Sequence, residues 1–335
     1  MGNDILITVG KSVAGLASAL VILRFINLKG WRHFNEYNRL KGKTFLITGA
    51  NSGIGKQLTH QIAVAGGNVI MLCRDGAKGK SVINELKAQS KSATMGSITL
   101  RRMDLNSFAS IEESAKELIE SVPRIDCLIN NAAVMMAPFS ITEDGFEGHI
   151  QTNHLGHALL TTLLLPKIAA SGSPADPSRV VFVSSILYRR GTIRDDSFKS
   201  GSVTLENFDS KVAYSDSKLA SLLYARQLAH EIDRLGYPIV VNSASPGMVY
   251  TNLGRHFKLS WFKKVLLSPF AALFVRTPSE GASIILHAAA SEKTIDSNGA
   301  FYHSYDEKPI ESKFDDQLSK KVYQMTMEAI NKSLE

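Results

Sequence analysis

Tyr214 and Lys218 stand four residues apart in a segment of helical pattern, Ala213–Leu235. Residues four apart on a helix share a face, so the phenol and the ammonium point the same way. A free tyrosine has a pKa of about 10, too high for efficient proton transfer near neutrality. A nearby ammonium favours the phenolate and lowers that value. Such a phenol gives a proton to a carbonyl or takes one from an alcohol. The spacing alone is common, and its weight comes from a second constellation earlier in the chain. There Thr48-Gly49-Ala50-Asn51-Ser52-Gly53-Ile54-Gly55 joins an apolar run of strand length to a helical pattern. Small residues let the backbone turn tightly and approach a pyrophosphate, while the helix start offers free N–H groups and partial positive charge. Between strand and helix, at the head of an alternating pattern, these glycines predict a dinucleotide cradle.

The elements that must carry these residues alternate along the chain. Strand-length apolar runs fall at Thr44–Thr48, Asn68–Cys73, Ile98–Met103, Cys127–Asn130, Val180–Ser184, Val240–Ala244 and Ala300–His303. Helical patterns fill the intervals, among them Ile54–Ala65, Ile111–Ser121, Thr152–Ile168 and Ala213–Leu235. This alternation predicts an α/β fold, a Rossmann-type doubly wound parallel sheet of about seven strands in a single domain. The expected domain spans residues 41–335. Residues 1–40 are expected to form an apolar helix with a polar linker, and a polar stretch, Asn35 to Lys43, precedes the alternation. The chain has 335 residues, 44% hydrophobic and 21% charged, a globular balance that argues against disorder. Its formal charge of +7 is spread rather than blocked, which argues against nucleic acid as a partner. Cys73 and Cys127 lie in strand-like runs and are read as buried thiols in a reducing compartment. His154 and His157 have no third ligand at sensible spacing, so no metal is expected.

The Gly-x-x-x-Gly-x-Gly spacing followed by Tyr-x-x-x-Lys resembles the short-chain dehydrogenase/reductase family, from about Lys41 to Tyr302. The resemblance implies hydride transfer between an alcohol or carbonyl and a nicotinamide cofactor. Tyr214 would be the acid/base, and Lys218 would also bind the nicotinamide ribose. Val181-Phe182-Val183-Ser184-Ser185 resembles the strand that ends in the catalytic serine, here Ser185, with Ser184 as the alternative. Thr152-Asn153-His154-Leu155-Gly156 resembles the segment with the active-site asparagine. Asn153 would hold a water and the main chain in a proton relay behind Lys218. The implied cofactor contacts are Gly49, Asn51, Ser52, Gly53, Ile54 and Gly55 at the phosphates, and Asp104 and Leu105 at the adenine. Asn131 and Ala132 of Asn130-Asn131-Ala132-Ala133 follow, then Pro246, Gly247, Val249 and Thr251 after the sixth strand. The acid that marks NAD in the family would stand at Cys73. Arg74 follows it and suits a 2′-phosphate, with Lys56 adding charge, so NADP(H) is favoured. Two alternatives keep NAD(H) open: Arg74 stacked on adenine, or Asp75 turned inward.

Within the family the chain looks most like the membrane-associated retinol dehydrogenase and polyprenol dehydrogenase branch. That likeness rests on Asn130 to Met136, Asp144-Gly145-Phe146-Glu147, Leu155-Gly156-His157, Ser171 to Pro174 and Thr277-Pro278-x-Glu280-Gly281-Ala282. It implies a lipophilic substrate of retinoid, polyprenoid or sterol class. Phe257 to Leu267 and Phe270 to Val275 are apolar and aromatic with interleaved lysines, a lid that packs on the domain or also touches a bilayer. The run from Ile5 to Leu23 carries only Lys11 as a charge and is followed by Arg24, Lys29 and Arg32. A membrane anchor or interfacial helix is the leading reading, with a cleaved signal peptide or a docked helix as alternatives. The trailing basic residues place the domain in the cytosol. The expected membrane is that of the endoplasmic reticulum, with mitochondrial membrane and lipid droplet as alternatives. A homodimer stays open as a partner form. A non-catalytic cofactor-binding or scaffolding member, or a membrane tether, are the competing functions.

Overall fold

The computed structural model describes residues 33–90, 94–251, 253 and 274–334. Its strands are β1 Thr44–Thr48, β2 Asn68–Cys73, β3 Ile98–Arg102, β4 Cys127–Asn130, β5 Ser178–Val183, β6 Ile239–Ser245, β7 Phe301–His303 and β8 Asp306–Glu307. They form one sheet in the order β3-β2-β1-β4-β5-β6-β7-β8. Every pairing among β1 to β7 is parallel, and β8 runs antiparallel to β7. Each position of β5 and β6 is buried, as a sheet covered on both faces requires.

The helices are α1 Gly53–Val64, α2 Gly76–Gln89, α3 Phe108–Ser121, α4 Gly156–Ser171, α5 Ser210–Leu235, α6 Pro278–Ala290 and α7 Asp316–Leu334. Leu58, Ile62, Val82, Leu86, Ile285 and Leu286 bring α1, α2 and α6 into one core. Ile111, Leu118, Leu159, Leu164, Leu222, Leu228, Val322 and Ile330 bring α3, α4, α5 and α7 into the other. The doubly wound reading therefore holds, with two layers of helix around the sheet. Local chemistry sets the ends. Thr277 and Glu280 make a reciprocal capping box at the start of α6, and α5 stops at Gly236, which is left-handed at φ 67.

Two differences from the sequence reading have physical causes. The sheet has eight strands rather than about seven. Ser304 and Tyr305 both take positive φ, 56 and 75, which turns the chain tightly back from β7 into β8. Such turns usually announce themselves with Asn-Gly or Asp-Gly, and Ser-Tyr does not. The polar stretch before β1 is packed rather than a linker. Phe34 and Leu40 are buried, the Phe34 N–H donates to Ser283 Oγ at 2.7 Å, and Glu36 accepts from the Glu292 N–H at 2.8 Å. The apolar run Ile5 to Leu23 and the lid around Trp261 and Phe262 lie outside the described residues. Among the described residues no helix is long and apolar enough to cross a membrane.

Candidate active site

Strand order reverses between β1 and β4, and sheets of this type bind ligands in the crevice outside the strand ends at that point. A cleft of about 540 Å³ opens there. Every residue that the sequence reading proposed for the site lines it except Lys56, Gly55 and Asn153, the last two standing behind its wall. At Gly55 an added Cβ would come within 2.4 Å of the Gly49 carbonyl oxygen and 2.7 Å of Asn131 Nδ2. Its part is close packing rather than contact. Gly53 opens α1 with φ +53, where a side chain is strained. Ser52 precedes it, and its hydroxyl makes no capping bond to the helix. The first-turn N–H groups of α1 are thus left without a side-chain cap, and they suit an anionic ligand. Bare backbone, a helix start and the tight Gly49–Gly55 turn fit a pyrophosphate.

At the far end of the cleft are Tyr214, Lys218 and Ser185. Tyr214 is 3% exposed. Burial pushes its phenol up to about 12, and a hydrogen bond with the Ser185 side chain draws it the other way. Ser185 caps the short 3-10 helix Ile186–Arg190, its oxygen accepting from the Leu187 N–H at 3.2 Å. Ser184 also faces the cleft, and its buried hydroxyl has no partner among the described residues. The bond to Tyr214 distinguishes Ser185 of the two. Lys218 is buried, and its Nζ donates to the Val183 carbonyl at 2.8 Å. Burial pulls it down to about 8. The expected lowering of the phenol by this ammonium is not what the protein alone produces. Lys218 Nζ lies 6.0 Å from the Tyr214 ring centroid, and what moves the phenol is burial, upward, against the Ser185 hydrogen bond.

Asn153 sits in a π-helical turn, Gln151–Leu155, that leads into α4. Instead of facing the cleft, its side chain grips a main-chain segment. Oδ1 accepts from the Val134 N–H at 2.8 Å, and Nδ2 donates to the Val134 carbonyl and to Ser217 Oγ, both at 2.9 Å. Its own carbonyl accepts from the Ser221 hydroxyl at 2.8 Å.

At the adenosine end, Arg74 follows β2 with its side chain 66% exposed, Nε 3.8 Å from Asp104 Oδ2. Asp75 caps α2, its carboxylate accepting from the Lys78 N–H at 2.9 Å. That commitment weakens it as a ribose acid. Lys56 pairs with Glu85 at 2.6 Å and does not line the cleft, so it does not supply the charge expected of it. Lys78 does line it and was not anticipated. Its signal was available, since a helix that starts directly after β2 puts its first turn at the cleft. Thr48 was missed too. Its buried hydroxyl accepts the N–H groups of Asn131 and Ala132, each at 2.9 Å, and so fixes the wall that follows β4.

Met248 and Tyr250 alternate in sequence with the cleft residues Gly247, Val249 and Thr251 and are exposed, 60% and 82%, as is Phe274 at 53%.

A parallel sheet with a glycine cradle at its switch point, and a Tyr-x-x-x-Lys helix crossing the same cleft, defines a nicotinamide-dependent alcohol dehydrogenase or carbonyl reductase. The chain belongs to the short-chain dehydrogenase family, whose pattern, short chain dehydrogenase, matches residues 43–196. It is 34% identical to Retinol dehydrogenase 14 of Homo sapiens over 334 residues, covering 95% of this chain and 96% of that one. It is 38% identical to Retinol dehydrogenase 12 of Homo sapiens, covering 79% of this chain and 78% of that one. Among solved structures it is similar to the Pseudomonas aeruginosa RhlG/NADP active-site complex. The TM-score is 0.62 and the identity 25%, covering 80% of this chain and 96% of that one.

Proposed function

We propose that the protein interconverts a lipophilic alcohol and its aldehyde or ketone with NADP(H), with Tyr214 as the acid/base. One observation carries the reading. The phosphate cradle of β1 and α1 and the Tyr214, Lys218 and Ser185 side chains share one cleft. A bound nicotinamide supplies or accepts the hydride. In reduction, the buried Tyr214 phenol keeps its proton far above neutrality and gives it to the substrate oxygen as charge develops there. Ser185 orients the phenol and binds the same oxygen, and Lys218 holds the ribose hydroxyls. Asn153 acts through the Val134 main chain.

The α1 N-terminus with Gly49, Asn51, Ser52, Gly53 and Ile54 would hold the pyrophosphate. Asp104 and Leu105 would hold the adenine. Asn131, Ala132 and the Pro246–Thr251 turn would hold the nicotinamide half. Arg74 carries the preference for a 2′-phosphate, supported by the capping duty of Asp75 and by Lys78 beside it. Arg74→Ala is therefore expected to weaken NADPH roughly tenfold to a hundredfold, the scale of one charge-assisted bond, and NADH by much less. Fluorescence titration of both cofactors checks this, and equal losses would contradict the role.

The lipophilic class rests on the kinship with proteins named for retinol and on the exposed apolar side chains Met248 and Tyr250 in the turn that lines the cleft. The decisive experiment is a screen of lipophilic aldehydes and alcohols with NADPH and NADP⁺ on the membrane-bound protein. Absence of turnover with every member would sink the proposal. We assign the membrane attachment to the N-terminal run, with the catalytic domain in the cytosol at the endoplasmic reticulum. Because Phe34 and Glu36 are packed on α6 and its C-terminal end, the clean truncation removes residues 1–32. The shortened protein should leave liposomes at least partly in a flotation assay, keep its activity on a short soluble carbonyl and lose activity on a bilayer-borne isoprenoid. Full retention on liposomes would move the attachment elsewhere.

A further inference from the structure

Thr48, at the end of β1, is completely buried. Its hydroxyl oxygen receives two N–H bonds, from Asn131 and Ala132. A hydroxyl has two acceptor lone pairs and one proton, so both lone pairs are taken and the proton has to go elsewhere. The partner left is His157 Nε2, at 2.9 Å. That nitrogen is therefore an acceptor, and the ring proton of the neutral imidazole sits on Nδ1. Nδ1 lies 3.2 Å from the carbonyl oxygen of Asn153 and donates to it. One tautomer of one side chain satisfies both ends. His157 is 2% exposed in the first turn of α4.

These bonds close a ring around one wall of the cleft. Asn131, Ala132 and Val134 line that wall. Thr48 holds its near end through two N–H groups, and Asn153 holds its far end through the Val134 N–H and carbonyl. His157 ties the two holders together. Asn153 is also bonded to Ser217 and Ser221 on α5, the helix of Tyr214 and Lys218. The ring thus joins the strand of the phosphate cradle to the helix of the proton-transfer groups.

We propose that His157 is a positioning residue, whose neutral imidazole couples Thr48 to Asn153 and so sets the Asn131–Val134 wall against the cofactor. It rests on the cofactor half of the function proposed above. Losing both ring nitrogens leaves a buried hydroxyl proton without an acceptor and takes one donor from the Asn153 carbonyl, which keeps only the Ser221 hydroxyl among its side-chain donors, and an unsatisfied buried group is costly. A glutamine can offer an oxygen toward Thr48 and an N–H toward Asn153, which makes it the conservative substitute.

The test compares His157→Leu and His157→Gln by NADPH affinity in a fluorescence titration, with turnover on a soluble aldehyde measured beside it. His157→Leu should weaken NADPH by about tenfold, the loss of one or two buried bonds, and His157→Gln should recover to within about threefold. Equal affinities in the two variants would overturn the inference. A measurement on the wild type covers the case in which His157→Leu fails to fold. The ¹⁵N resonances of His157 should report the neutral Nδ1–H tautomer from pH 8 down to pH 5, as burial drives this ring's pKa down to about 3. An imidazolium or the Nε2–H tautomer in that range would overturn it equally. Failure of the enzymatic proposal looks different. The wild type would bind NADPH and reduce no carbonyl.

Discussion

Tyr214→Phe should cut turnover roughly a hundredfold to ten-thousandfold and leave NADPH affinity within a few-fold, since proton transfer from a positioned acid contributes on that scale. The substitution removes one oxygen from a ring that is 3% exposed, so shape and packing survive. What goes is the phenolic proton at the reacting end, together with its hydrogen bond to Ser185. The pH profile separates Tyr214 from its neighbour. In reduction the phenol must be protonated, and burial keeps it so up to about 12. Lys218 is the group that changes charge first, near 8. For reduction, kcat/KM should therefore be level below pH 8 and fall as the pH rises through it, the decline belonging to the loss of the ammonium. Steady-state kinetics on a soluble aldehyde, beside a cofactor titration, tests both statements. A Tyr214→Phe protein with near-wild-type turnover would remove Tyr214 from the mechanism.

The chemistry-bearing residues were legible because each is tied to a local pattern. The cradle is a strand, a glycine turn and a helix in immediate succession, and Tyr214 and Lys218 are one helical turn apart. Strand positions were legible for the same reason, as buried parallel strands are unbroken apolar runs. What was not legible depends on tertiary partners or on backbone geometry without a sequence signature. The turn at Ser304 and Tyr305 takes two positive φ angles from residues that do not advertise them. The π turn at Asn153 is invisible in a periodicity that reads as continuous helix, yet it delivers that side chain to Val134. Lys56 was expected to add charge at the 2′-phosphate, but Glu85, more than two turns along α2, pairs with it. His157 drew notice only as half of a metal pair. Its partners Thr48 and Asn153 come from different segments, and only the fold brings them together. Polar residues that end buried strands, as Thr48 does, are the signal worth reading in such chains. A group with no water to turn to must have a partner, and the partner reports on the site.

Lys218→Met should abolish activity and change how stability depends on pH. The ammonium is buried, and its folded pKa of about 8 lies below the unfolded value of about 10.4. Between those two values the unfolded chain binds more protons than the folded one, so stability rises with pH across the window. Below pH 8 the full penalty of a buried charge is present. Above 10.4 it is gone. A shift of this size corresponds to about 3 kcal/mol. Methionine keeps the length and most of the volume and cannot ionise, so its contribution is level over the same range. It leaves the Val183 carbonyl without the Nζ donor, at a cost of roughly 1–3 kcal/mol that does not vary with pH. The stability difference between variant and wild type should therefore move by about 2 kcal/mol in favour of the wild type between pH 8 and pH 10, the part of the full shift that falls inside that window, whatever its starting value. Tyrosine ionisation adds an opposite slope above pH 10 in both proteins, because burial raises Tyr214, and this sets the upper limit of the comparison. Urea unfolding at closely spaced pH values gives the two curves. Parallel curves would mean that Lys218 is not the strained cation its burial implies. A wild-type curve that gains on the variant as the pH rises would show that a group with no stabilising reason to be charged there is held in place for the reaction, as active sites are known to do.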